Sequence, residues 1–164
     1  MHPTRMRHPQ LVIVESDEWI AKQLSPLAGE SRWLVRQPRK SDDALSLARD
    51  GRPTVLFVQV EPGEEKTEAF ALIADAHRLA PDAAVVALSD LKLPDADRVA
   101  WTAVLLDLGA RYVLFPPLSR PVLEDVASGL MTAAVRRVVG GEPPPAAPKP
   151  TDGTIDLADE EHHE

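Results

Sequence analysis

The sequence contains no cysteine. That excludes a disulfide framework, thiolate zinc sites, thioredoxin-type redox chemistry and cysteine nucleophiles. No apolar run approaches the roughly 20 residues of a membrane-spanning helix, so no membrane association is expected. The first ten residues, MHPTRMRHPQ, lack the apolar core of a secretory signal, and a cytoplasmic location is the expectation. An excess of positive charge is also missing. There are 18 Lys and Arg against 26 Asp and Glu, for a net charge of -8. Proteins that track phosphate backbones carry the opposite balance, so no nucleic-acid partner is expected. Neither a P-loop nor a G-x-G-x-x-G is present, which removes the usual glycine-rich phosphate cradles.

What remains is a chain of 164 residues, 44% hydrophobic, enough for one domain and a tail. The charge is uneven. Residues 142–164 hold seven acids and one base, which is -6 of the total -8, and five of the 16 prolines. Proline removes a backbone donor and disfavours helix at the residue before it. EPPPAAPKP therefore reads as an extended linker. TDGTIDLADEEHHE has too little apolar area to offset its ordering entropy. The expected organisation is a folded domain over residues 8–141, then a proline-rich linker and acidic disordered tail over 142–164. His162 and His163 in that tail suit a metal less well than they suit solvent. Ile155 and Leu157 read either as a short linear motif for a partner or, better, as part of a solubilising tail.

Five β-rich runs punctuate the domain: Leu11–Val14, Trp33–Arg36, Val55–Val60, Ala84–Leu88 and Tyr112–Phe115. Their starts lie 22 to 29 residues apart, room for one helix and two loops each. Continuous apolar runs suit strands covered on both faces. Val12, Val14, Leu56, Val58, Val86 and Leu88 should form the central core.

The gaps carry helix signals. Ile20, Leu24, Leu27 and Ala28 repeat at helical spacing, with Pro26 expected to kink or shorten that helix. Ser41 reads as an N-cap before Asp42 and Asp43, with Gly51 beyond the end. Thr67 precedes a third helix expected to face inward through Phe70, Ile73, Ala74 and His77. The fourth helix, from Pro94 and Asp95 to Gly109, is expected to turn Val99, Ala103 and Leu106 inward, with Trp101 beside them. The fifth, opening at Pro121, is expected to bury Val122, Val126, Leu130, Ala133 and Val138. Right-handed crossovers then give an α/β, flavodoxin-like (βα)5 three-layer sandwich, with a parallel five-stranded sheet in the order 2-1-3-4-5.

Ligands of such folds bind beyond the carboxyl ends of the strands, so the strand-ending residues are the candidate site. Strand 1 ends in Glu15, Ser16 and Asp17. Strand 3 ends in Gln59 and Glu61, strand 4 in Ser89 and Asp90, and strand 5 in Phe115. Glu15 and Asp17 read either as a paired-carboxylate acid/base couple or as an acidic loop capping the first helix. A serine–histidine nucleophile lacks a G-x-S-x-G around Ser16 or Ser89. ESDEW after strand 1 repels a nucleotide or flavin phosphate rather than cradling it. Arg5, Arg7, Arg32, Arg36, Arg39 and Lys40 read as a solvated face.

Four motifs in order, VIVESDE, VLFVQVEPG, VVALSD and GARYVLFPP, resemble the landmarks of a bacterial response-regulator receiver domain. The resemblance spans about Gln10 to Val139. It implies an aspartate acceptor ending strand 3, magnesium held by acids after strand 1, a Ser or Thr ending strand 4, and a Lys before Pro ending strand 5. Here Gln59 stands at the acceptor position, and a primary amide forms no acyl phosphate. Glu15 and Ser16 align with the acid pair, with Asp17 one position late. Phe115 stands at the Lys position. Ser89 and Tyr112 match the residues that relay the switch. Magnesium wants several oxygen ligands, and Gln59 and Ser16 remove two anionic ones.

The resemblance therefore implies a pseudo-receiver: no enzyme, no cofactor, no metal. Its expected function is a phosphorylation-independent protein–protein interaction module, an adaptor or scaffold in bacterial signalling. Protein partners, or a homodimer, would meet helix 4, strand 5 and helix 5, at Trp101, Leu105 and Met131. Two alternatives stay open. One is an atypical receiver in a phosphorelay using Asp17 or Glu61. The other is a small-ligand-binding flavodoxin-like protein.

Overall fold

The structure, a computed structural model, describes residues 7–61 and 68–140. Gly141, the linker and tail at 142–164, Arg5, Pro62, Gly63 and Thr67 lie outside the described residues.

Ten elements alternate: β1 (Gln10–Val14), α1 (Trp19–Ser31), β2 (Leu34–Arg36), α2 (Ser41–Ala48), β3 (Thr54–Gln59), α3 (Glu68–Leu79), β4 (Ala84–Leu88), α4 (Asp95–Leu108), β5 (Tyr112–Leu114) and α5 (Arg120–Gly140). The sheet is parallel, in the order β2-β1-β3-β4-β5. This is the (βα)5 sandwich expected from the strand spacing. Register pairs Val12 with Leu56 and Leu56 with Val85. The strand ends Val14, Gln59 and Leu88 thereby fall at one edge.

Strand alternation sorts the core into two layers. Leu11, Ile13, Val55, Phe57, Val86 and Leu88 pack against α1 and α5. Val12, Leu56, Val58, Val85 and Ala87 pack under α2, α3 and α4. Of the expected core, Val12, Leu56, Val58, Val86 and Leu88 are buried, and Val14 at the rim is only half-buried. Gln10 is a buried polar residue. Its amide donates to the Leu47 carbonyl (2.8 Å) and to Thr54 Oγ1 (3.0 Å), tying β1 to the α2–β3 turn.

Helix phase departs from the sequence expectation in three places. In α4 the buried residue is Leu105, flanked by half-buried Trp101 and Leu108, while Val99, Ala103 and Leu106 face solvent. The helix is apolar nearly all round, so the pattern does not mark an inner face. In α5 the buried row is Leu123, Ala127, Met131, Ala134 and Arg137. Val122 and Val138 are exposed, and Val126, Leu130 and Ala133 are half-buried. In α3, Ile73 is buried and Phe70 and Ala74 half-buried, but His77 is exposed. Its side chain lies where a Cβ on Gly109 would sit.

Two local expectations also shift. α1 runs unbroken through Pro26. Lys40, not Ser41, occupies the N-cap of α2, and Ser41 is its first residue. Asp42 and Asp43 do lie in the first turn of α2, where the helix dipole favours them. Gly109 follows α4 at φ 123, a conformation costly for other residues.

Candidate functional site

The parallel register brings three strand ends together, and the β1–α1 loop closes over them. Glu15 leaves β1 with its carboxylate turned onto the start of α1. Its Oε1 accepts the Ile20 N–H (2.7 Å) and its Oε2 accepts the Ala21 N–H (2.9 Å). Both oxygens therefore satisfy backbone donors that the helix itself leaves unpaired. Glu18 at φ 61 lets the chain turn back into this cap. Burial raises the Glu15 pKa above its ordinary value. The two backbone hydrogen bonds pull against that rise, and neighbouring Asp17 adds to it. Of the two readings of this acidic loop, the helix cap is the one the geometry forms.

Gln59 ends β3 with its amide oxygen facing Ser16. That oxygen accepts both the Ser16 backbone N–H (2.9 Å) and the Ser16 hydroxyl (3.1 Å). The end of β3 and the β1–α1 loop thus join through a neutral amide–alcohol pair. Asp17 Oδ1 accepts the Trp19 N–H at 3.3 Å.

This donor set does not fit magnesium. Both Glu15 oxygens are engaged by backbone, Ser16 and Gln59 are neutral and mutually bonded, and a hard cation requires several free oxygens in near-octahedral array. Among the described residues no three Asp, Glu or His side chains converge on a metal-sized point.

Ser89 is fully buried, and its Oγ accepts the Leu91 N–H at 3.2 Å, which places it in the turn leaving β4. Tyr112 is exposed on the edge strand. Phe115 is half-buried and lines a groove of about 350 Å³ between α4 and β5, with Arg98, Val99, Thr102, Val113 and Leu114. After β5 the chain thus presents an aromatic ring to the α4 side.

The expected interaction residues separate. Leu105 and Met131 are core side chains, each at most 1% exposed. They sit on the inward rows of α4 and α5 and cannot meet a partner. Trp101 is half-buried and stacks on Phe70 of α3, with ring centroids 5.6 Å apart. The apolar groups that α4, β5 and α5 expose are Val99, Val104, Leu106, Tyr112, Val122, Val138 and Val139. The i, i+4, i+7 spacing of Val99, Ala103 and Leu106 was visible in the sequence, and it marked the outer stripe rather than the inner one.

Sequence reasoning also missed a cleft of about 280 Å³ beside Gln59. Trp19 and Ile20 of α1 line it on one side, and Pro116 and Leu118 after β5 on the other. Asp17 and Asp90 stand at it. Of these, Gln59, Asp17 and Asp90 were legible beforehand as strand-ending residues.

No protein-family model matches the chain, and no curated protein matches it. Solved structures do. The signal receiver domain of a Luxo repressor protein from Vibrio parahaemolyticus aligns at TM-score 0.64 and 12% identity, over 84% of this chain and 100% of the other. A CheY-like response regulator receiver domain protein from Methanospirillum hungatei aligns at 0.59 and 14%, over 80% and 99%. A response regulator from Burkholderia pseudomallei, with a phosphorylated aspartic acid, calcium ion and citrate, aligns at 0.56 and 24%, over 79% and 70%. Likeness at these identities shows the fold, and that fold is the flavodoxin-like sandwich of CheY-type receiver domains.

Proposed function

We propose that this chain is a receiver-like signalling module that works without phosphorylation and without catalysis, by protein–protein contact. The observation that carries the reading is the bonded pair Gln59–Ser16 at the acceptor edge. An amide already committed to two donors supplies no carboxylate nucleophile, and phosphoryl transfer needs one together with charge stabilisation on the moving oxygens. Phe115 in place of a cationic side chain supports the same reading.

Contact then falls to the face built by α4, β5 and α5. Val99 and Leu106 are exposed there at 67% and 47%. Large apolar groups on a rim of polar ones mark association surfaces. A second copy of the chain or another signalling protein is the proposed partner, and a cytoplasmic setting is part of the same proposal. No helix among the described residues is long and apolar enough to cross a membrane.

Sedimentation velocity over a concentration series tests this. The proposal expects association that Leu106→Asp abolishes and that a phosphodonor with magnesium leaves unchanged. Association that appears only with the phosphodonor would overturn it.

A further inference from the structure

The cleft between the β1–α1 loop and the segment after β5 has a chemistry of its own, independent of any partner at α4. Its body is apolar: Trp19, Leu88, Pro116 and Leu118. Its polar groups are the carboxylates of Asp17 and Asp90 and the amide of Gln59. No Lys, Arg or His lines it. The Gln59 oxygen is taken by Ser16, while its amide nitrogen makes no hydrogen bond among the described residues. Asp17 accepts the Trp19 N–H through Oδ1, and its carboxyl group lies against that of Glu15. Asp90 forms no ion pair among the described residues.

We propose that this cleft binds a small organic ammonium ion with an apolar body. The apolar lining provides area for a hydrocarbon or aryl group. The two carboxylates favour a positive charge in a slot that has no cation of its own. The Trp19 ring adds a face on which a cation is attracted by the ring quadrupole. Anions are disfavoured by the same carboxylates. Bare magnesium is disfavoured because the apolar walls replace the oxygen ligands it needs. An alkylammonium, which carries its own apolar stem, meets both halves of the lining.

The test is titration of the full-length, 15N-labelled chain with phenethylammonium chloride, followed by two-dimensional NMR. Three parallel titrations use 2-phenylethanol, phenylpropionate and magnesium chloride. The expected result is saturable shifts at the Trp19 indole and the Gln59 side-chain amide with the ammonium. The neutral alcohol should bind at least about tenfold more weakly, the loss of one charge-assisted contact, and the anion should not bind. Asp90→Asn, at an exposed position, should weaken the ammonium at least about fivefold, while the rest of its spectrum verifies the fold. The inference is overturned if the ammonium gives no saturable shift, if alcohol and ammonium bind equally, if Asp90→Asn leaves affinity unchanged, or if magnesium saturates the same resonances.

Discussion

Helices α4 and α5 flank the same edge strand, yet they are held in opposite ways. The 21-residue α5 buries Leu123, Ala127, Met131, Ala134 and Arg137. The 14-residue α4 buries only Leu105. It meets α3 through the Trp101–Phe70 stack and leaves Val99, Val104 and Leu106 in solvent. Both helices are rich in apolar residues, so composition does not separate them. The difference lies in where those residues point. In α5 a full row, Leu123, Ala127, Met131 and Ala134, is spent on the core, while Val122, Val138 and Val139 stay outside it. In α4 only Leu105 is fully buried, and Val99, Val104 and Leu106 are left on the surface, where they add little to folding.

The largest effects should therefore come from α5. Met131→Ala and Leu123→Ala should each cost about 2–5 kcal/mol in urea unfolding, because a cavity is left in a close-packed layer. Val99→Asp and Leu106→Asp on α4 should stay within about 0.5 kcal/mol, as surface changes do. Equal costs on the two helices would break the comparison.

Gly109, which ends α4, sharpens it. An added Cβ would strike the His77 side chain, and the residue sits at φ 123. Gly109→Ala should lose about 1–3 kcal/mol. His77→Ala in that background should restore only part of the loss, since the backbone strain remains. Full restoration would mean that the contact, not the backbone, sets the cost.

A smaller effect is expected at Glu15. Glu15→Ala removes both acceptors at the start of α1 and should cost about 1 kcal/mol in thermal or urea unfolding. Burial raises the pKa of Glu15, so the folded chain holds that proton more tightly than the unfolded chain does. The stability this contributes is present below the ordinary glutamate value and is lost as pH rises through the raised one. Glu15→Gln does not titrate. Its stability relative to wild type should therefore improve as pH rises across that window. A difference that moves the other way would show that the ionised cap, not the protonated one, is favoured by the fold.

Much of this fold was legible because its signals are local. Each central strand is an unbroken apolar run such as Val55–Val58, and each is buried on both faces. The strand-ending positions followed directly, so Glu15, Ser16, Gln59 and Asp90 lie at the carboxyl ends of the strands, as the sequence placed them. Helix rotation was not legible where a helix is apolar on more than one side. Val99, Ala103 and Leu106 make as regular a stripe as Trp101, Leu105 and Leu108, and only the sheet decides between them. Pairings across the edge were hidden for another reason. The Ser16–Gln59 bond joins residues 43 positions apart, and the cleft walled by Trp19 and Leu118 exists only once α1 and the β5–α5 segment have docked.

We propose that the sheet edge at Gln59 is chemically silent because Gln59 and Ser16 satisfy each other. It is tested most directly by incubating the full chain with acetyl phosphate and magnesium, then measuring intact mass with peptide mapping. The account predicts no phosphoryl adduct on any residue of the edge. A stoichiometric adduct on Asp17 or Glu61 would contradict it.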